Sequence, residues 1–142
     1  MGGCLTTLSL FRSVSSRTLA LACLFAASAA CADDADPSHA QFLKSCGTCH
    51  TVDKGAEIRQ GPNLGNVFGR AAGALAEFPA YSEALKKAGA GGLVWSEETL
   101  DKWIAGPHEL VPDSNMFYSQ PDPEKRKLII TYLKSLADGA AK

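Results

Sequence analysis

The 142-residue chain predicts a small, loop-rich helical domain, and three observations carry that prediction. Four stretches carry apolar residues at helical steps, three of them behind a helix-start signal. Between them run segments dense in glycine or proline and without periodicity. No strand pattern precedes the paired cysteines Cys46 and Cys49, so a βαβ redox unit is not indicated.

Ahead of this domain, residues 1–32 read as a signal peptide that is removed on export. Arg12 and Arg17 give a basic start, Leu19 to Ala30 a short apolar run, and Ala30-Cys31-Ala32 an Ala-x-Ala cleavage signal. The run is short for a bilayer span. An uncleaved anchor, or lipidation at Cys31, are the alternatives; Ser28, three positions before Cys31, weakens the second. The expected compartment is the periplasm. Residues 33–142 then form one domain whose only cysteines are Cys46 and Cys49, so no structural disulfide is expected. The leader holds two of the fourteen basic residues and none of the fifteen acidic ones, which leaves the domain at a formal −3. Nucleic acid is an unsuitable partner for such a chain.

The first helix starts at Asp36-Pro37, an N-cap followed by proline at the first helical position, and carries Ala40, Phe42, Leu43 and Cys46. From Thr51 to Gly73 the chain is a glycine-rich loop, long enough to suggest that it wraps a ligand. Tyr81 to Ala88 reads as a short helix stopped by Gly89, with Lys86 and Lys87 in its last turn. A third helix follows N-cap Ser96, with Glu97 and Glu98 at its start and Leu100, Trp103 and Ile104 on one face, and ends at Gly106-Pro107. Residues 107–123 read as a second long loop. Asp122-Pro123-Glu124 opens the last helix, in which Leu128, Ile129, Tyr132, Leu133 and Leu136 recur at three- and four-residue steps. Its apolar stripe is expected to pack on the first helix.

Cys46-Gly47-Thr48-Cys49-His50 is the attachment signature of c-type haem. Each thiol adds to one porphyrin vinyl group, and the adjacent His50 gives a nitrogen to the iron. A zinc site would want two further thiolates or imidazoles, and after His50 only His108 remains. A buried porphyrin would also enlarge the core of so small a domain. Pro62, twelve residues after His50, is either turn punctuation or a carbonyl acceptor for the second imidazole nitrogen. Trp95 and Trp103 read as core residues whose buried indole N–H groups need acceptors. Candidates for a sixth iron ligand are Met116, His108, His39 or a lysine. His39 shares a helix with the thiols, and His108 stands in a charged stretch. Met116, the one methionine after the initiator, is favoured, by analogy with His/Met cytochromes.

Taken together, these residues resemble class I cytochrome c over nearly all of the mature domain. Beyond Cys-x-x-Cys-His, the matching strings are Gly61-Pro62-Asn63-Leu64, Phe68-Gly69-Arg70, Trp95-x-Glu97-Glu98-Thr99-Leu100, Val111-Pro112, Met116 and Tyr132-Leu133-Lys134. The resemblance implies an all-α fold in which N- and C-terminal helices cross and loops enclose one haem c. It implies that Cys46 and Cys49 hold the haem, that His50 and Met116 bind iron, and that Pro62 accepts from His50. It puts Arg70, Tyr81 and Trp95 near the propionates and Ser114 in place of a loop threonine. The chain departs from the family at four places. Ser38 stands where the first helix usually has glycine, and Pro112-Asp113-Ser114 where the turn before the methionine is Pro-Gly-Thr. Trp103 replaces a tyrosine whose hydroxyl approaches the methionine sulfur. Ser45, His108 and the stretch after Gln120 replace the lysines around the haem edge, so a lysine-ring docking is not expected.

The function expected is that of a soluble, monomeric electron carrier, not an enzyme. It would pass electrons from a dehydrogenase or quinol-oxidising complex to a terminal oxidase or reductase of a respiratory chain. Two alternatives are a subunit docked permanently on one dehydrogenase and a peroxidase-like enzyme with labile Met116. The second would need an acid–base residue over the iron, and His108 has no arginine beside it. Phe117 and Tyr118 at the rim would support the docked subunit, but they are expected in the wall of the haem pocket.

Overall fold

The computed structural model describes residues 36–139; the signal-peptide reading of 1–32 lies outside them. Helix α1 spans Pro37–Ser45. Asp36 caps it, its carboxylate accepting from the Ser38 N–H at 2.9 Å, and Pro37 occupies the first turn, where a missing N–H costs nothing. Helix α2 spans Glu83–Ala90 behind the N-cap Ser82, whose hydroxyl accepts from the Leu85 N–H at 3.2 Å. The sequence puts this helix at 81–88, and the structure shifts both ends. Ser82 is the better cap, and Gly89 lies inside the helix instead of stopping it. A Cβ at Gly89 would fall 1.9 Å from the Ala72 carbonyl oxygen, so the glycine serves close packing.

Helix α3, Glu97–Ala105, starts with a reciprocal capping box between Ser96 and Thr99 and buries Leu100, Trp103 and Ile104, as the pattern predicts. Residues 107–123 are not wholly loop. Pro107–Leu110 forms a one-turn helix, α4. The proline that ends α3 also starts α4, because its fixed φ suits a first helical position. Helix α5, Pro123–Gly139, follows Asp122, whose carboxylate accepts from the Glu124 N–H at 3.0 Å.

Among the described residues the fold is helical, without a named strand; one antiparallel bridge joins Ala71 to Val94. Around it, Gly69 N–H donates to Trp95 O and Trp95 N–H to Arg70 O, at 2.9 and 3.0 Å, tying the 51–73 loop to the approach of α3. Helix α5 packs against both α1 and α3. Tyr132 lies between Phe42, at 4.9 Å between ring centroids, and His39, at 4.7 Å. Phe42, Val67, Ile129 and Leu133 are the most deeply buried apolar side chains. On the α3 side Ile130 is buried too, and Arg126 pairs with Asp101 at 2.7 Å. The heptad-like stripe of α5 does not include Ile130, because the sequence pattern anticipates one partner helix and α5 has two.

Ser38 keeps the buried place that the resemblance gives to glycine. It is 6% exposed, and its hydroxyl donates to the Asp36 carboxylate, 2.7 and 2.8 Å from the two oxygens. A buried hydroxyl is costly only when unpaired, so the capping aspartate makes the serine tolerable. No helix of the described residues is long and apolar enough to cross a membrane.

Candidate functional site

A cavity of about 360 Å³ opens between the loops and the buried faces of α3 and α5, within the size range of small-molecule sites. Its apolar wall includes Leu64, Val67, Leu85, Leu100, Ile129 and Leu133. Cys46, Cys49, His50 and Met116 all line it, and so do Pro62, Arg70, Tyr81, Trp95 and Trp103. The residues favoured from the sequence as cofactor or iron contacts therefore meet in one place. Neither His39 nor His108 lines the cavity, and no lysine does. His39 stacks on Tyr132, while His108 Nε2 lies 3.0 Å from the Ser114 carbonyl oxygen.

The two thiols follow from the way α1 ends. Cys46 caps the helix, its N–H bonded to Phe42 O at 2.7 Å, and the tight turn after it returns Cys49 N–H and His50 N–H to Cys46 O at 3.0 and 2.9 Å. Burial, and to a lesser degree the neighbouring Cys49, pushes the Cys46 thiol up to about 12, so as a free group it stays protonated.

His50 is held by the loop that follows it. Its Nδ1 lies 2.8 Å from Pro62 O. A carbonyl oxygen only accepts, so Nδ1 carries the proton and Nε2 keeps its lone pair. Burial lowers the imidazole pKa, while the Pro62 bond acts in the opposite direction; the neutral ring is favoured. Gly61 lies flat against this ring: a Cβ there would be 2.3 Å from Cε1. Asn63 locks the same loop, donating to Thr51 Oγ1 and Asp53 O at 3.1 and 2.9 Å and accepting from Gly65 N–H at 2.7 Å. Asn63 entered the sequence reading only as part of a matching string. Its place after Pro62 in a glycine-rich loop is the Asx-turn signal that would have marked it.

Arg70 donates to the Asn63 and Gly65 carbonyls at 2.9 and 3.4 Å, and no ion pair among the described residues includes it. Burial lowers its pKa, against the pull of Tyr81 and Glu77; burial raises that of Tyr81, against Arg70. On the other stretch of wall, Trp103 Nε1–H donates to Met116 Sδ at 3.1 Å. Asp113 takes the glycine place in the turn before Met116 with φ +64°, so the turn keeps its left-handed residue without glycine. Ser114, 4% exposed, has a hydroxyl with no partner among the described residues. Asn115 Nδ2–H donates to Ala80 O at 3.2 Å, a contact that the sequence reading did not foresee. Phe117 and Tyr118 do line the cavity, but at its mouth: Phe117 is 84% exposed.

Three features suit an iron porphyrin. The cavity wall is mostly apolar, and its two thiols would lose their ionisable protons on becoming thioethers, so their burial would cost little. Arg70 is a half-buried cation without an ion-pair partner, as a propionate would require.

Comparison with known proteins agrees. The chain is 40% identical over 96 residues to the cytochrome c2 of Afifella marina, covering 67% of this chain and 77% of that protein. It is 42% identical over 94 residues to the cytochrome c of Chlamydomonas reinhardtii, covering 66% and 80% of the two chains. With the cytochrome c of Sesamum indicum the identity is 39% over 94 residues, covering 66% and 81%. No family model matches the chain. An all-α fold and this likeness define its class: the chain belongs to the class I cytochrome c family, whose members are electron carriers and not enzymes.

Proposed function

We propose that the chain is exported through the signal peptide 1–32 and works in the periplasm as a soluble, monomeric carrier with one haem c. Cys46 and Cys49 would hold the porphyrin by two thioether bonds, and His50 Nε2 and Met116 Sδ would bind the iron. When bound, haem c supplies an iron that takes up and gives back one electron. The observation that carries the reading is the convergence of both thiols, His50 and Met116 on one apolar cavity that no other histidine and no lysine lines.

The protein's own groups do the rest. Pro62 O holds the Nδ1 proton of His50 and leaves the Nε2 lone pair free for the iron, a fixed tautomer that would also make the imidazole a stronger ligand. The Met116 thioether favours the reduced state, and so does an apolar wall that excludes water. Trp103 holds the sulfur by its indole N–H and withdraws electron density from it, in the role of the family's tyrosine. Arg70, Tyr81 and Trp95 take the propionate end. With His50 and Met116 both on the iron no place would be left for a substrate, and the chemistry would be electron transfer alone. The partners are a dehydrogenase or quinol-oxidising complex on one side and an oxidase or reductase on the other, met briefly as small redox interfaces are.

The test is the absorbance spectrum of purified holoprotein beside a Met116→Ala variant. Wild type in the ferric state should show the weak near-infrared band of methionine ligation, and the variant should lose it while keeping covalent haem. A wild type without that band, or a variant that retains it, removes Met116 from the iron and with it the closed-site reading.

A further inference from the structure

We infer that Arg126 is a positioning residue for Met116: anchored on Asp101 of α3, it straps down the trailing end of the methionine stretch. The inference deepens the carrier reading above and rests on its assignment of Met116 to the iron. From α5 the Arg126 guanidinium reaches two other segments at once. Its Nε donates to Asp101 Oδ1 at 2.7 Å and its Nη2 to Asp101 Oδ2 at 3.4 Å, a two-pronged hold on α3. Its Nη1 donates to Gln120 O at 3.0 Å and to Pro121 O at 2.9 Å, where the methionine stretch ends. The side chain is 13% exposed, so water competes little for these bonds.

Gln120 is held on its other sides too. Its N–H donates to Ile104 O at 2.8 Å, and its Oε1 accepts from the Asp122 N–H at 3.2 Å. Ile104 follows Trp103, whose indole N–H meets Met116 Sδ. Helix α3 thus carries the donor to the sulfur, the carbonyl that holds Gln120 and the carboxylate that anchors the strap. Three residues, 117–119, separate Met116 from the point so fixed. So short a tether limits how far the sulfur can withdraw from the cavity. The same two helices share a second ion pair, Lys134 of α5 with Glu97 of α3. Glu97 and Asp101 stand four positions apart on α3, each against a cation of α5. Among the described residues, though, Lys134 makes no bond to the methionine stretch. Exposed ion pairs contribute little by themselves, so the two backbone carbonyls are what set Arg126 apart.

Free imidazole competes with the Met116 thioether for ferric iron, so its apparent affinity rises with the fraction of molecules in which the stretch has lifted. Titrations of purified ferric holoprotein, followed by loss of the near-infrared methionine band, compare wild type with Arg126→Gln, Asp101→Asn and Glu97→Gln. Arg126→Gln should keep the band without imidazole and bind imidazole about tenfold more tightly, the effect of losing roughly one charge-assisted hydrogen bond. Asp101→Asn leaves Arg126 on the carbonyls without its anchoring charge and should give about threefold. It decides the matter alone if Arg126→Gln does not fold. Glu97→Gln should match wild type in imidazole affinity even where its Tm falls. Wild-type affinity in both strap variants, or an equal rise in Glu97→Gln, overturns the strap while the ligand assignment stands. A wild type with no near-infrared band overturns the assignment of Met116 to the iron, and the strap falls with it.

Discussion

Residues 50–65, which hold His50, and residues 111–120, which hold Met116, line the same cavity but are secured by different means. The first stretch is cross-linked through its backbone. Gly61 N–H donates to Cys49 O and Leu64 N–H to Thr51 O, both at 2.8 Å, and Asn63 adds three bonds of its own. In the second stretch the backbone bonds sit at the ends, Val111 N–H to Pro107 O and Gln120 N–H to Ile104 O, both at 2.8 Å. Between them the holds are made by side chains: His108 on Ser114 O, Asn115 on Ala80 O and Trp103 on Met116 Sδ. Backbone lattices open cooperatively and side-chain clasps open singly, so the methionine stretch is the less stable of the two. The comparison therefore predicts that the histidine side tolerates no change of volume, while the methionine side can be tuned in small steps.

Gly61→Ala should have the largest effect. Its methyl group would fall 2.3 to 2.8 Å from three atoms of the His50 ring, and that ring cannot swing aside without breaking its bond to Pro62. Forced overpacking at a closed site costs about 3 kcal/mol. Thermal unfolding of the holoprotein should register it as a large fall in Tm, and the reduced spectrum as a disturbed haem environment. A variant as stable as wild type would show that the histidine loop is pliant and would erase the contrast.

What the sequence discloses, and what it conceals, follows the same division. Chemistry written in neighbouring residues is readable: the Cys-x-x-Cys-His string, the caps Asp36, Ser96 and Asp122, and the stripe of α5. Met116 is readable as a candidate because methionine is scarce here. Contacts that depend on two distant segments approaching are not. Gly89 reads as a helix stop because a glycine at the end of a pattern looks the same whether it ends a helix or admits the Ala72 carbonyl. Pro107 reads as a breaker because the same residue both closes α3 and opens α4. Phe117 reads as pocket wall because hydrophobicity alone does not tell the inside of a cavity from its mouth. Trp103 is legible as a buried aromatic, but the partner of its N–H became evident only once α3 faced the Met116 loop.

Trp103→Phe tests the methionine side at intermediate strength. It removes the indole donor to Met116 Sδ while keeping an aromatic ring in the cavity wall. The lost hydrogen bond is worth about 1 kcal/mol, and the smaller ring adds a packing loss of similar size. If that bond favours the reduced state, the midpoint potential should fall by on the order of 40 mV, which is about 1 kcal/mol at 59 mV per tenfold for one electron. Potentiometric titration and the near-infrared band, compared with wild type, separate this from simple loosening. A lower Tm at an unchanged potential would leave Trp103 a packing residue and nothing more.

The smallest effect expected is a gain. Asp113 holds φ +64° in the turn before Met116, a conformation that a side chain disfavours by roughly 1 kcal/mol and that glycine adopts freely. Asp113→Gly should therefore stabilise the turn, although glycine's greater freedom in the unfolded chain offsets part of the gain. A net of about 0.5 kcal/mol would raise Tm by roughly 2–4 °C in a domain of this size. The more telling readout is local. If the turn limits the methionine stretch, the near-infrared band should persist to a higher temperature in Asp113→Gly, by more than the rise in global Tm. Equal shifts would mean that the two stretches melt as one unit, and that the difference in how they are bonded does not become a difference in how they open.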